Sequence, residues 1–126
     1  MGENIDVLVW RAEEIDAHGD MLSPQALQDM ADRLIPGTAI PLNFDLRNPV
    51  GYIVAVWIKG KDLMATVRVT DPGIADAINS GRASVRPGFE IAELHTDNGS
   101  SKRVIDHITA AHMSVCAQPM HLPGEQ

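Results

Sequence analysis

Cysteine is almost missing from this 126-residue sequence, since Cys116 stands alone. An internal disulfide is excluded, and such sparing thiol use fits a reducing compartment. Long apolar runs are missing too; none approaches the ~20 residues that a membrane-spanning helix needs. Basic residues are few and scattered. Ten Lys and Arg face seventeen Asp and Glu, for a formal net charge of −7. Nucleic-acid binding wants a basic face, so neither a nucleic-acid nor a membrane partner is expected. The polar start Met1-Gly2-Glu3-Asn4 is unlike a signal peptide, and Asp6 stands where a myristoylation motif would need Ser or Thr. No phosphate-cradling glycine loop, internal repeat or low-complexity stretch occurs; Gly99-Ser100-Ser101-Lys102 reads as a turn.

What is present is an ordinary apolar share of 44% in a chain long enough to bury a core. One domain over 1–126 is expected, with a short polar N-terminus at 1–4 and a tail at 120–126. Residues Ile5 to Arg11 read as a largely buried strand, and Asp16-Ala17-His18-Gly19-Asp20 as a polar loop. Ser23-Pro24 opens a helix whose Leu27, Met30, Ala31 and Leu34 form one stripe, stopped by Pro36-Gly37. Ile40 to Phe44 is a short strand, Asp45 to Pro49 a loop, and Gly51 to Lys59 a strand. It turns at Gly60-Lys61 into Leu63 to Val69. Asp71-Pro72 opens a second helix with Ile74, Ala75 and Ile78 inward and Gly81 at its end. Ala83 to Val85 and Phe89 to Leu94 form a strand broken by Arg86-Pro87-Gly88, at a bulge or an edge. Asp97-Asn98-Gly99-Ser100 is a hairpin turn. Val104 to Ile108 and His112 to Ala117 are two last strands, and Pro119 belongs to an exit tail. The order β-α-β-β-β-α-β-β-β predicts an α+β fold with a mostly antiparallel, barrel-like sheet and two helices.

Taken singly, the chemistry-bearing residues favour structural roles. A serine such as Ser84, at the start of a strand, becomes a nucleophile only with a base in reach and a group to orient that base. The candidate bases are histidines. His18, His95 and His121 fall in loops, a strand end and the tail. His107 and His112 are five apart, on opposite faces of an unbroken strand. No spacing brings two or three ligands together, so neither a metal nor another cofactor is expected. Asp16 and Asp20 could bind a cation or exchange protons, but a solvated turn explains them as well. Trp10, Trp57 and the methionines are core candidates before they are contact anchors.

Four stretches in order carry a resemblance. They are Asp16-Ala17-His18-Gly19-Asp20 before a helix; Asn43-Phe44-Asp45 running to Pro49-Val50-Gly51; Gly81-Arg82-Ala83-Ser84 running to Gly88-Phe89; and His112-Met113-Ser114-Val115-Cys116-Ala117-Gln118-Pro119. The layout from Ile5 to Pro119 resembles the tailed-phage prohead (capsid maturation) proteases. There an Asp-x-x-Gly-Asp loop, an Asn-His-Asp element with Pro-Val-Gly, a Ser-x-Gly-Phe strand and a Glu-Val-Ser-Leu-Val strand follow one another. Three departures stand out. Phe44 replaces the family's general base, Arg86-Pro87 looks like an insertion beside the serine, and His112 stands where the family has Glu. The related herpesvirus assemblins use a second histidine as third member, so the resemblance offers His112 as a candidate partner for Ser84, although in that fold the third group orients the base and does not serve the serine directly. The resemblance implies a protease-like fold with a vestigial site at Phe44, Ser84 and His112 and no catalysis. It also implies a capsid setting: a decoration (cement) or minor capsid protein that binds the major capsid protein, located in the virion capsid and, during assembly, in the host cytoplasm, and paired as a homodimer. The rival is an active maturation protease working through Ser84 and His112.

Overall fold

Two proline-started helices sit on one curled sheet. The computed structural model describes residues 2–11, 19–96 and 103–117. Its strands are β1 (Glu3–Trp10), β2 (Asp20–Leu22), β3 (Ala39–Leu42), β4 (Asp45–Lys59), β5 (Asp62–Val69), β6 (Ala83–Thr96) and β7 (Arg103–Ala117). The helices are α1 (Pro24–Arg33), after β2, and α2 (Pro72–Asn79), after β5. Ser23 caps α1, its hydroxyl accepting the Ala26 N–H at 3.0 Å. Asp71 caps α2 by accepting from Gly73 and Ile74 N–H. In both helices proline follows the cap, where its missing N–H costs nothing. The α1 stripe Leu27, Met30 and Leu34 is buried as its spacing requires. On α2, Ala75 is buried, with Ile74 and Ile78 packed against the core beside it.

The sheet runs β1-β5-β4-β3-β7-β2, and β6 pairs with β7 alone among the described residues. Ladders β1–β5, β3–β4, β4–β5 and β6–β7 are antiparallel. The short contacts of β2 and β3 with β7 are parallel. The expected antiparallel sheet is therefore a mixed one. β5 shows the simplest alternation, with Leu63, Ala65, Val67 and Val69 buried. β1 is less buried than expected, since Asn4 and Asp6 face solvent. The sheet curls into a half-barrel, so that Trp10 of β1 meets Phe89 of β6 edge-on, ring centroids 6.1 Å apart.

Several boundaries differ from expectation. β2 is an added strand at the end of the first loop, where Asp20–Leu22 pairs with Arg103–Ile105. The last two predicted strands are one, β7, and β6 is not broken at Arg86-Pro87-Gly88. Its pairing is continuous from Ala83↔Ala117 to Glu90↔Ala110. Pro87 is tolerated because β6 lies at an edge. The irregularities fall later, where Thr109 and Asp106 on β7 and Ala92 on β6 have no opposite number. Each such bulge resets the strand's parity. That is how Ile105 and Ile108, three apart, are both buried. Residues 46–48 bulge out between the pairs Leu42↔Asp45 and Pro41↔Pro49, which keeps the predicted loop's exposure inside a strand. At the next position but two, a Cβ on Gly51 would collide with the Arg68 carbonyl, so the Pro49-Val50-Gly51 bend needs glycine. The predicted turn at 97–100 and the tail from 118 lie outside the described residues.

Asp29 fastens α1 to the bulged part of β7. Its Oδ2 accepts the Ile108 N–H at 3.2 Å and lies 3.0 Å from His107 Nδ1; its Oδ1 accepts from Gln25 at 2.9 Å. The Gln25 hydrogen bond, followed by His107 and the Ile108 N–H, holds the carboxyl below its ordinary pKa of 3.8, against a partial cost of burial. A depressed carboxyl pKa stabilises the fold above the ordinary value, and that stability is lost as pH falls through the depressed one. Asp29→Asn should flatten the acid limb below about pH 4 relative to the parent, read as denaturation midpoint against pH.

Candidate functional site

The β3–β4 turn holds Phe44. The pair Leu42↔Asp45 leaves Asn43 and Phe44 as a two-residue loop, with φ of 50° and 61°. Both residues are left-handed, as a type I′ turn demands. Asparagine tolerates this conformation; phenylalanine does so at a cost of roughly 1–2 kcal/mol. Hydrogen bonds from β7 hold the turn. Asn43 N–H donates to the Val115 carbonyl at 2.7 Å, and Asn43 Oδ1 accepts the Ala117 N–H at 2.9 Å. Phe44 N–H donates to Ser114 Oγ at 2.8 Å, and Ser114 donates to the Pro41 carbonyl at 3.0 Å. Ser114 is fully buried. Its hydroxyl uses both capacities on the turn.

Next to this turn lies one face of the β6–β7 ladder. The cross-strand pairs are Ser84↔Cys116, Arg86↔Ser114 and Gly88↔His112. Directly opposed residues share a face, so these six positions form one surface. His112 lies across Gly88, where an added Cβ would come within 2.6 Å of its Cε1. Any side chain at position 88 would have to displace the ring. Phe44 meets the same ring edge-on, with centroids 5.2 Å apart. The guanidinium of Arg86 sits 5.4 Å from the Trp10 ring centroid, a cation–π contact.

The structure brings Phe44 and His112 together and leaves Ser84 apart. Ser84 is opposite Cys116, four residues along β7 from His112. At about 3.3 Å per residue their Cα atoms are about 13 Å apart, beyond the reach of a serine–histidine hydrogen bond. Arg86 and Ser114 stand between. The pairing runs through Arg86-Pro87 without a bulge. Ser84 is exposed. Cys116 is a free, half-buried thiol. Burial raises its thiol pKa, outweighing the nearby Arg86 charge and the Ser114 hydrogen bond.

The other candidates fall into structural roles. Asp20 is buried and forms two hydrogen bonds to Arg103, at 2.6 and 2.7 Å, directly across the β2–β7 pair. His95 pairs with Asp106 at 2.7 Å; His107 is held by Asp29 and lies 3.7 Å from Glu93. Bulge Thr109 between His107 and His112 cancels the parity expected of a spacing of five. Among the described residues no three metal-ligating side chains converge. Asp16, His18 and His121 lie outside the described residues. Trp10 is buried, which removes it as a surface anchor, and Trp57 is half-buried.

No protein-family model matches the sequence, and no curated protein matches it. Among solved structures, the fold is similar to the capsid assembly protease gp21 of bacteriophage T4. The TM-score is 0.64 at 17% identity, over 93% of this chain and 82% of that one. At that identity the likeness shows a shared fold.

Proposed function

We propose that this chain is a phage capsid structural protein, a decoration (cement) or minor capsid component built on a protease-like fold without catalysis. It binds the major capsid protein of the assembled shell, and it resides in the virion after assembly in the host cytoplasm. The observation that carries this reading is the pair of substitutions at the site. By the motif resemblance Phe44, packed against His112, would take the base position, and counting back from Gly88-Phe89 would put Arg86, opposite Ser114, at the nucleophile position. A phenyl ring cannot take a proton, and a guanidinium has no nucleophilic oxygen or sulfur. The rival reading, catalysis by Ser84 with His112, is opposed by their separation along β7.

The direct test is the copy number of this chain in purified mature particles, by quantitative mass spectrometry against the major capsid protein. A stoichiometric amount is expected. Its absence from mature particles, with presence in immature ones, would instead mark a transient assembly factor and overturn the cement reading.

A further inference from the structure

The sheet leaves one row of large apolar side chains outside the core. The cross-strand pairs Leu8↔Met64 and Trp57↔Met64 set three of them in line across β1, β5 and β4. Directly opposed residues share a face. Met64 alternates with Leu63 and Ala65, both fully buried, so the row is on the outward face. Their chain neighbours Val7, Val56 and Ile58 pack against the core, and these three half-buried residues do not. Both helices send their buried side chains into the core, on the other face, so neither covers the row. Toward one end this outward face is polar and already paired within itself. Thr66 donates to Asp6 at 2.6 Å, and Arg68 donates to Asn4 at 2.8 Å. Toward the other end stands the β4–β5 turn with Lys59 and Lys61, both exposed and two of the chain's three lysines. Among the described residues neither forms an ion pair. Asp62 lies across from Lys59, so this end keeps a net positive charge in a chain of net charge −7.

We propose that the Leu8–Met64–Trp57 row is the face by which the chain grips the shell, and that its occupant is an acidic segment of the major capsid protein carrying an apolar side chain. This assignment rests on the capsid reading above, to which it adds the contact face and the partner's chemistry. Tryptophan and methionine are enriched at protein interfaces, where an apolar centre is ringed by satisfied polar groups. Trp57 is the natural anchor of such a centre. Charge selects the occupant. An acidic chain repels an acidic partner over most of its surface, and the turn bearing Lys59 and Lys61 is where such a partner gains instead. An anionic membrane fits less well. Lipid recognition of that kind uses clusters of about four to eight basic residues, and the rest of this chain repels a negative surface.

The test is co-sedimentation of the full chain with shells assembled from the major capsid protein alone. The parent should pellet with the shells, and less of it as salt rises. Trp57→Asp should weaken binding at least ~30-fold, the loss expected of an interface anchor. Lys59→Glu with Lys61→Glu should weaken it at least ~10-fold and remove the salt dependence. Both lysines are exposed beside a turn, so this double variant should melt with the parent and decide the matter even if Trp57→Asp folds poorly. Leu46→Ser, toward the far end of β4 and at a side chain 83% exposed, should leave binding unchanged. A parent that does not bind shells overturns the capsid reading and this face with it. A parent that binds, with both variants binding equally well, keeps the capsid reading and overturns the face alone. Binding to phosphatidylserine vesicles, or self-association, that the same substitutions abolish would give the row another occupant and overturn the proposal.

Discussion

Phe44→His by itself will leave the chain unreactive toward a serine-directed phosphonate, whereas Phe44→His together with Arg86→Ser will give an adduct at position 86. Position 44 lies beside His112, whose ring is already packed against the side chain there at a centroid separation of 5.2 Å. A histidine at 44 therefore gains an orienting neighbour on arrival. It still finds no nucleophile, because Arg86 holds the adjacent β6 position and Ser84 lies two residues farther along the strand. Members of a catalytic triad act as a unit, and losing the nucleophile or base alone costs nearly as much as losing all three. The single reversion should thus recover almost nothing. The double one should raise labelling by at least ~10³-fold. Arg86→Ser forfeits the contact with Trp10, about 0.5–2 kcal/mol, which a folded domain of this size can absorb. Intact mass and peptide mapping decide the matter. An adduct on Ser84 in the Phe44→His chain would show that the strand-register assignment is mistaken and that Ser84 is the true nucleophile position.

How far the sequence was legible depends on how local the signal was. The helices were readable because Ser23-Pro24 and Asp71-Pro72 state their starts within two residues, and the apolar spacing of α1 states its inner face. The β4–β5 hairpin was readable from Gly60-Lys61 and the alternation of Leu63, Ala65, Val67 and Val69. Errors gathered on β6 and β7. A bulge such as Thr109 or Ala92 is an outcome of how two distant strands register, and nothing in either strand announces it. Pro87 carries the same lesson. Read locally it marks a break, but at an edge it breaks nothing. The break expected beside Ser84 rested on that reading. β2 was missed because three residues are too few for a pattern, and its parallel pairing spans eighty-three residues from Asp20 to Arg103. At the site, Phe44 and His112 were found as departures from a motif; Ser114, the residue that joins them to the fold, was hidden as one small polar residue in an apolar strand.

Ser114→Ala should be among the most destabilising single substitutions outside the large core side chains, at about 2–4 kcal/mol in denaturant titration. The hydroxyl is fully buried and serves two backbone groups, accepting from Phe44 N–H and donating to the Pro41 carbonyl. Alanine removes both partners at once and replaces neither. Each buried polar group left unpaired costs about 1–3 kcal/mol. The turn it holds is already working against itself, since Phe44 occupies a left-handed conformation that only surrounding contacts maintain. Loosening the turn also frees the Phe44 ring from His112. Ser84→Ala is the matched control, an equally small change on the same face of the same ladder. Ser84 is exposed, so the change should stay within about 0.5 kcal/mol. The contrast separates two meanings of a serine near this site. A serine kept for chemistry can be removed with little effect on folding, while a serine kept as the pin between β7 and the β3–β4 turn cannot. Equal and small effects from the two substitutions would remove Ser114 from that role, and with it the physical reason for the turn's position over β6 and β7.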